Sequence, residues 1–393
     1  MKKRNIKNIL IISYLYFPSK KIGAQRWTKI GKELIKKNHN LSILSINNGG
    51  KLNDNHSFFK SKFFSEILRT NPSNIFEKIL YNFWIRVLPF FTKYNFYDLA
   101  TFDKKTIIEK AKKIIVKNNI DIVIATGAPF SLCYFNVELK MSFKNLLVIN
   151  DFRDPWTWNN EYGYELLSKK RKSRENKLEK EVIEKSDYIL VPVNPMKEFL
   201  DQKYAHFKDK VKIIPHFFDV NEMPKELNKS PNKKMSFIYG GTIYQGTIKW
   251  YEEFSNAISA IYGNVSISLY SNDLKLDCKS ENGLIKLKKG IKETDLLIKI
   301  CNADYYIACY PEIDKDFIST KFYQIIYLKT PIILISPKGI LSDFIKDYDL
   351  GIHILPEEIK NIKEGFLRND FSFNFKLEDY NLSVVTNKLL ELM

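Results

Sequence analysis

At 393 residues the chain is longer than one hydrophobic core usually serves, so two domains are expected. Hydrophobic residues make up 45% and charged residues 27%, which excludes a disordered chain, and no apolar run reaches the roughly 20 residues that a membrane-spanning helix needs. Lys and Arg number 62 against 45 Asp and Glu, and the resulting net charge of +17 calls for an anionic partner: nucleic acid, a lipid leaflet or a phosphorylated small molecule.

The basic start and the apolar "NILIISYLYF" resemble a signal peptide, but no small-residue cleavage site follows, and "SKKIGAQRW" stands in its place. A first strand over 7–14 is expected instead, then an amphipathic helix over 24–38 and a strand over 40–46. Residues 57–98 break the alternation: Phe, Trp, Leu and Ile mingle with Lys and Arg, as in a segment that lies on an anionic lipid surface or in an inserted helical pair. A helix over 104–119 and strands over 120–126 and 145–151 follow. Next come a charged helix near 165–185 and strands over 187–193 and 210–216. The polar stretch 216–234 reads as a linker. Alternation then restarts over 235–375, with strands at 235–241, 264–271, 303–310 and 330–336 and helices at 248–261, 293–302 and 319–329. A terminal helix lies within 376–393, free to return to the N-terminal domain. Strands separated by long helical crossovers imply two doubly wound parallel sheets, hence an α/β protein of two Rossmann-like domains, 1–215 and 235–375. Cys133, Cys278, Cys301 and Cys309 form no CxxC and fit a reducing cytoplasm.

Ligands of such sheets bind beyond the carboxyl ends of the strands, and several loops carry suitable residues there. In "YLYFPSKKIGAQRW", Gly23 precedes a helix start, with Lys20, Lys21 and Arg26 able to add charge for a phosphate. "IATGAPFS" places Gly127 and Pro129 at a tight strand exit into a helix capped by Thr126 or Ser131. "NLLVINDFRDPWTW" sets Asp151, Arg153 and Asp154 at the mouth of a strand; carboxylates suit sugar hydroxyls, an arginine binds phosphate bidentately, and Trp156 and Trp158 suit the faces of a pyranose. In the second half, "FIYGGTIYQG" offers Gly240, Gly241 and Thr242 for close backbone approach to an anion, with Lys249 on the next helix. "DKDFISTKFYQ" places Ser319 or Thr320 at a helix cap, Lys321 in the first turn and Gln324 one turn later, suited to a diphosphate and to ribose hydroxyls. Asp314 and Asp316 form a DxD, but so few oxygen ligands lie nearby that no metal is expected, and the five histidines are scattered.

These segments, in this order, resemble the family-4-like glycosyltransferases of GT-B architecture, in a subgroup of bacterial surface-polysaccharide enzymes. "KFYQIIYLKTPII" is similar to the family's "Lys-Leu-x-Glu-Tyr-Leu-x-x-Gly-Lys-Pro-Ile", with Lys321, Phe322 and Pro331 in step. "DFRDPW", "EKEVIEKSDYILVPV" and "KVKIIPHFFD" also match in order, so the likeness covers nearly everything outside 57–98. The family's paired glutamates fall on Asp316 and Gln324, and its Pro-Asn-Gly before the linker is Pro215-His216-Phe217. The resemblance implies two domains facing across a cleft and transfer of a sugar from a nucleotide-diphosphate sugar to an acceptor, with retained configuration and no cofactor beyond the donor. Backbone N–H groups at Gly23 and Gly241, with Lys249 and Lys321, are then expected to meet the leaving diphosphate, while Asp316 and Gln324 serve the nucleotide and ribose. Asp151, Arg153 and Asp154 carry the catalytic, acceptor-side role, with Gly23, Arg26 and Gly127 around them.

The basic aromatic segment and the +17 charge favour a lipid-linked saccharide acceptor and a cytoplasmic protein peripheral to the inner face of the plasma membrane. A nucleotide-sugar 2-epimerase of the same fold is the rival enzyme, and a non-enzymatic basic anion-binding protein the rival of another class. No nucleic-acid motif is present, and Lys and Arg are interspersed with acids along the helices.

Overall fold

The computed structural model describes residues 6–19, 22–46, 51–59, 99–158, 164, 167–224, 234–272 and 283–393. They form two units: Met1–Pro215 with Val385–Met393, and His216–Val384. Lys20 and Lys21, most of the 57–98 segment and residues 225–233 of the 216–234 stretch lie outside the described residues.

The first unit holds a seven-stranded parallel sheet in the order β3-β2-β1-β4-β5-β6-β7. Its strands are β1 Asn8–Ile12, β2 Asn40–Ile46, β3 His56–Phe59, β4 Ile122–Gly127, β5 Leu147–Phe152, β6 Tyr188–Val191 and β7 Val211–Ile213. Helices Ile22–Lys36, Lys104–Lys117, Ser131–Ser142, Lys169–Lys185 and Asn194–Lys203 flank it. The central strands are buried on both faces, which is why "ILII" and "IVIA" are unbroken apolar runs. The terminal helix Leu382–Leu390 passes from the second unit into the first, where Lys7 Nζ donates to the Met393 carbonyl at 2.7 Å.

The second unit repeats the scheme with six parallel strands in the order β10-β9-β8-β11-β12-β13. They are β8 Met235–Gly240, β9 Val265–Ser271, β10 Ile285–Lys289, β11 Tyr305–Cys309, β12 Ile332–Ile335 and β13 Gly351–Ile354. Helices Ile248–Tyr262, Glu293–Cys301, Thr320–Tyr327 and Ile340–Asp347 pack on it. Both sheets therefore run outward in two directions from their first strand, and the order reverses between β1 and β4 in one and between β8 and β11 in the other. At such a switch point the loops leaving the two strands diverge and open a crevice.

One edge strand holds a pH-sensitive tie. His56 on β3 is buried, its Nδ1 accepting the Leu52 N–H at 3.1 Å while Nε2 lies 2.9 Å from the Ser45 hydroxyl. Accepting at Nδ1 fixes the neutral tautomer with its proton on Nε2, which donates to Ser45. Burial, and then the nearby Lys51 charge, lower the His56 pKa from the ordinary 6.5 to about 4. The unfolded chain therefore binds the extra proton first: this contribution is complete above pH 6.5 and declines as pH falls from 6.5 to 4. Thermal melts should show His56→Gln escaping a loss on the order of 1–2 kcal/mol that the parent suffers across that window.

Candidate active site

At the switch point of the first sheet, one guanidinium joins all three loops. Arg153 leaves the end of β5, and its Nη1 donates to the Gly23 carbonyl at 2.7 Å, in the first turn of the helix after β1. Its Nη2 donates to the Ala128 carbonyl at 3.4 Å, just past β4, and its Nε donates to the Asp154 carboxylate at 2.9 Å. Arg153 and Asp154 are only partly buried, with side chains 14% and 17% exposed, so the pair meets solvent at the rim of the crevice. Gly23 leaves room for this approach, since a Cβ there would stand 3.0 Å from Arg153 Nη1 and press on it. The helix begins at Ile22, so Gly23 lies inside its first turn and not before it. Gly127 ends β4 with the Phe130 ring packed where a Cβ would stand. Neither Thr126 nor Ser131 caps the next helix: its N-cap is Phe130, without a side-chain cap bond.

Asp151 and Arg26 lie beneath this rim. Asp151 is fully buried, and its Oδ2 accepts from Arg26 Nε at 3.2 Å and from Trp27 Nε1 at 2.6 Å. Arg26 also donates from Nη1 and Nη2 to the carbonyls of Pro215 and Ile214, at 2.8 and 2.7 Å. The expected phosphate ligand Arg26 therefore turns inward, and Asp151 ties its guanidinium and the Trp27 indole into the interior. The indoles are also packing groups, against the expectation of pyranose stacking. Trp156 is buried and stacks on Phe130, ring centroids 4.9 Å apart, while Trp158 stacks on Phe199.

Two carboxylates absent from the sequence-based assignment pin that loop down. Glu175 accepts from Trp156 Nε1 at 3.0 Å. Glu179 accepts from the Thr157 hydroxyl, the Tyr204 hydroxyl and Lys203 Nζ, each at 2.7 Å. Both glutamates are buried on one face of helix Lys169–Lys185, one turn apart. Burial raises the pKa of Glu175 despite the indole donor and the Arg171 charge. In the sequence of this helix, "KKRKSRENKLEKEVIEK", nothing sets Glu175 and Glu179 apart from Glu181 and Glu184.

The second sheet repeats the device with an ammonium group. Lys321 lies in the first turn of helix Thr320–Tyr327, after β11, and its Nζ donates to the Gly240 carbonyl at the end of β8. It also lies over the Tyr239 ring, 6.0 Å from the centroid. A Cβ at Gly241, whose φ is +157°, would push this ammonium group from its place and crowd the Tyr239 hydroxyl. Its N–H is not free for a phosphate as expected, because it donates to the Tyr270 carbonyl at 2.9 Å and continues the sheet. The Thr242 side chain is exposed, and its carbonyl accepts from the Tyr239 hydroxyl at 2.7 Å. Burial lowers the Lys321 pKa, and Glu293 opposes the shift. Glu293 opens the next helix along the edge, Glu293–Cys301, and accepts from the Gln324 amide at 2.6 Å.

Asp316 and Lys249 serve elsewhere. Asp316 accepts the Ile340 N–H at 3.0 Å and so caps helix Ile340–Asp347, where a carboxylate complements the positive end of the helix dipole. Lys249 is 76% exposed and lies 3.7 Å from Glu253, one turn along its helix. It lines an open groove of about 360 Å³ with Trp250, Glu253, Pro356, Glu357 and Lys360, a set that excludes Gly241, Lys321 and Gln324. Among the described residues no cluster of three or more His, Cys, Asp or Glu side chains is arranged to hold a metal ion, and no helix is long and apolar enough to cross a membrane.

No known family model matches the sequence, and no curated protein is similar to it at the sequence level. The fold is similar along its whole length to that of solved structures. A glycosyltransferase from Rickettsia africae ESF-5 has a TM-score of 0.63 at 15% identity, over 99% of this chain and 98% of that one. The N-terminal domain of Candida albicans trehalose-6-phosphate phosphatase has a TM-score of 0.66 at 12% identity, over 100% and 97%. The catalytic domain of starch synthase IV from Arabidopsis thaliana, bound to ADP and acarbose, has a TM-score of 0.55 at 11% identity, over 98% of both chains. With its two parallel sheets of seven and six strands, the chain has the GT-B fold of glycosyltransferases.

Proposed function

We propose that the chain is a glycosyltransferase that moves a sugar from a nucleotide-diphosphate donor to a saccharide acceptor. The observation that carries the reading is Lys321: a desolvated ammonium group held over a glycine turn, at the point of the second sheet where the strand order reverses. The solved structures of the same fold support it, since one of them holds ADP together with a saccharide analogue. In the transfer, the bond from C1 of the sugar to the diphosphate oxygen breaks and the diphosphate leaves with the electron pair. The acceptor oxygen bonds to C1 and passes its proton to the departing diphosphate. Lys321 meets the charge growing on the leaving diphosphate, and Gln324 with Glu293 faces the nucleoside end. The first unit takes the acceptor at the partly exposed Arg153 and Asp154. Configuration at C1 is retained, as in the enzymes the sequence resembles.

Thermal-shift titration with UDP, GDP, CDP and ADP and their sugars tests the reading. One nucleotide should raise the melting temperature in a concentration-dependent way, and its sugar should be transferred only when a saccharide acceptor is added; turnover of the donor sugar into its epimer without acceptor would refute it.

The acceptor in this proposal is lipid-linked and presented at an anionic leaflet, as in building a bacterial surface polysaccharide. The support is the +17 charge and the basic, aromatic composition of 57–98. Vesicles containing anionic lipid should carry the protein into the pellet at low salt and release it at high salt; protein left in the supernatant at low salt would contradict this.

A further inference from the structure

The Gln324–Glu293 contact raises a question of its own. Gln324 is buried, yet its partner Glu293 is exposed at the start of its helix, at the same edge of the sheet as Lys321. A carboxylate only accepts hydrogen bonds, so the Gln324 amide nitrogen faces Glu293 and its carbonyl oxygen is turned away. Glu293 Oε1 accepts from that amide, and the residue as a whole is exposed. Lys321 and Gln324 lie one turn apart on a single helix, hence on one face, and Glu293 is close enough to act on the Lys321 charge. Two helices thus bring an ammonium group, an amide and a carboxylate together at one edge of the sheet.

That grouping matches a nucleoside diphosphate: phosphate at the cation, and a ribose whose neighbouring hydroxyls are two donors seeking acceptors. We propose that Glu293 supplies the negative charge of the ribose site, held in place by Gln324, and that this pair makes the protein select ribonucleotide over 2′-deoxyribonucleotide donors. The inference rests on the donor-site reading above and assigns a residue and a selectivity to it. A neutral amide at 324 is required by the arrangement, since a second carboxylate 2.6 Å from Glu293 would be repelled.

The experiment is a titration of the full chain with UDP, GDP, CDP and ADP and their 2′-deoxy counterparts at neutral pH, on the parent, Glu293→Gln, Gln324→Glu and the double variant Glu293→Gln/Gln324→Glu. The parent should bind the ribonucleotide at least about tenfold more tightly than its 2′-deoxy analogue, as a site built around a hydroxyl does. Glu293→Gln should bring that ratio close to one. Gln324→Glu should weaken binding, and the double variant, which restores one carboxylate and one amide with their places exchanged, should recover most of the parent's affinity. Melting temperatures of the four proteins separate loss of the site from loss of the fold. Failure of all four nucleotides to bind the parent would overturn the donor-site reading and this inference with it. A ribonucleotide preference unchanged in Glu293→Gln, or a double variant no better than the weaker single one, would overturn this inference alone.

Discussion

Lys321→Met should lower kcat/KM for sugar transfer by about 100- to 1,000-fold while leaving the melting temperature nearly unchanged. Methionine keeps most of the side chain's apolar length, so the packing over Tyr239 survives, whereas the positive charge that the proposed function sets against the leaving diphosphate is gone. The ammonium group is costly to keep in this place: burial disfavours its charge, and the Gly240 carbonyl and the field of Glu293 offset that cost. A lowered pKa also sets a pH dependence. Diphosphate affinity should fall as pH rises through the Lys321 value, beginning below the range of an ordinary lysine. Binding isotherms across neutral to alkaline pH would reveal this, and the effect should vanish in Lys321→Met.

Asp151→Ala should do the opposite, destabilising the first unit by about 3–5 kcal/mol with little change in nucleotide affinity. The substitution leaves Arg26 with an uncompensated charge in the interior and removes the acceptor of the Trp27 indole. Because Arg26 also holds the carbonyls at 214 and 215, the loss reaches the end of β7. Asp151→Asn, which keeps an acceptor, should be milder. Chemical denaturation of the three proteins would measure the order, and an Asp151→Ala protein of parental stability but without transfer activity would return Asp151 to a catalytic role.

Central strands were legible in the sequence, and edge strands largely were not, for one physical reason. A strand covered by helices on both faces must be apolar at every position, as in "ILII" or "YYIAC", and stands out against its flanks. At the sheet edges β10 reads "IKLKK" and β13 reads "GIHI", where solvent admits lysines or the run is too short to distinguish from a turn. β3 escaped notice because its "HSFF" adjoins the basic aromatic segment. The site divides in the same way. Glycines at strand exits and the lysine in a helix's first turn are local signals, and Gly23, Gly127, Gly241, Arg153 and Lys321 all lie around the two switch points. Partnerships between residues distant in sequence leave no local trace. Arg26 and Asp151 are 125 residues apart, and both read as surface ligands until their burial is known. Trp156 and Trp158 misled for the same reason, since an indole's stacking partner is not written beside it. Glu293 carried no motif at all; only its place at the start of the helix after β10 marks it.

The most direct test of the donor site is a crystal structure of the full chain with the nucleoside diphosphate that raises its melting temperature. The diphosphate should lie against Lys321 beside Gly241, with the ribose toward Glu293 and Gln324. A nucleotide lodged instead in the groove of Lys249, Trp250 and Lys360, or on Arg153 in the first unit, would contradict it.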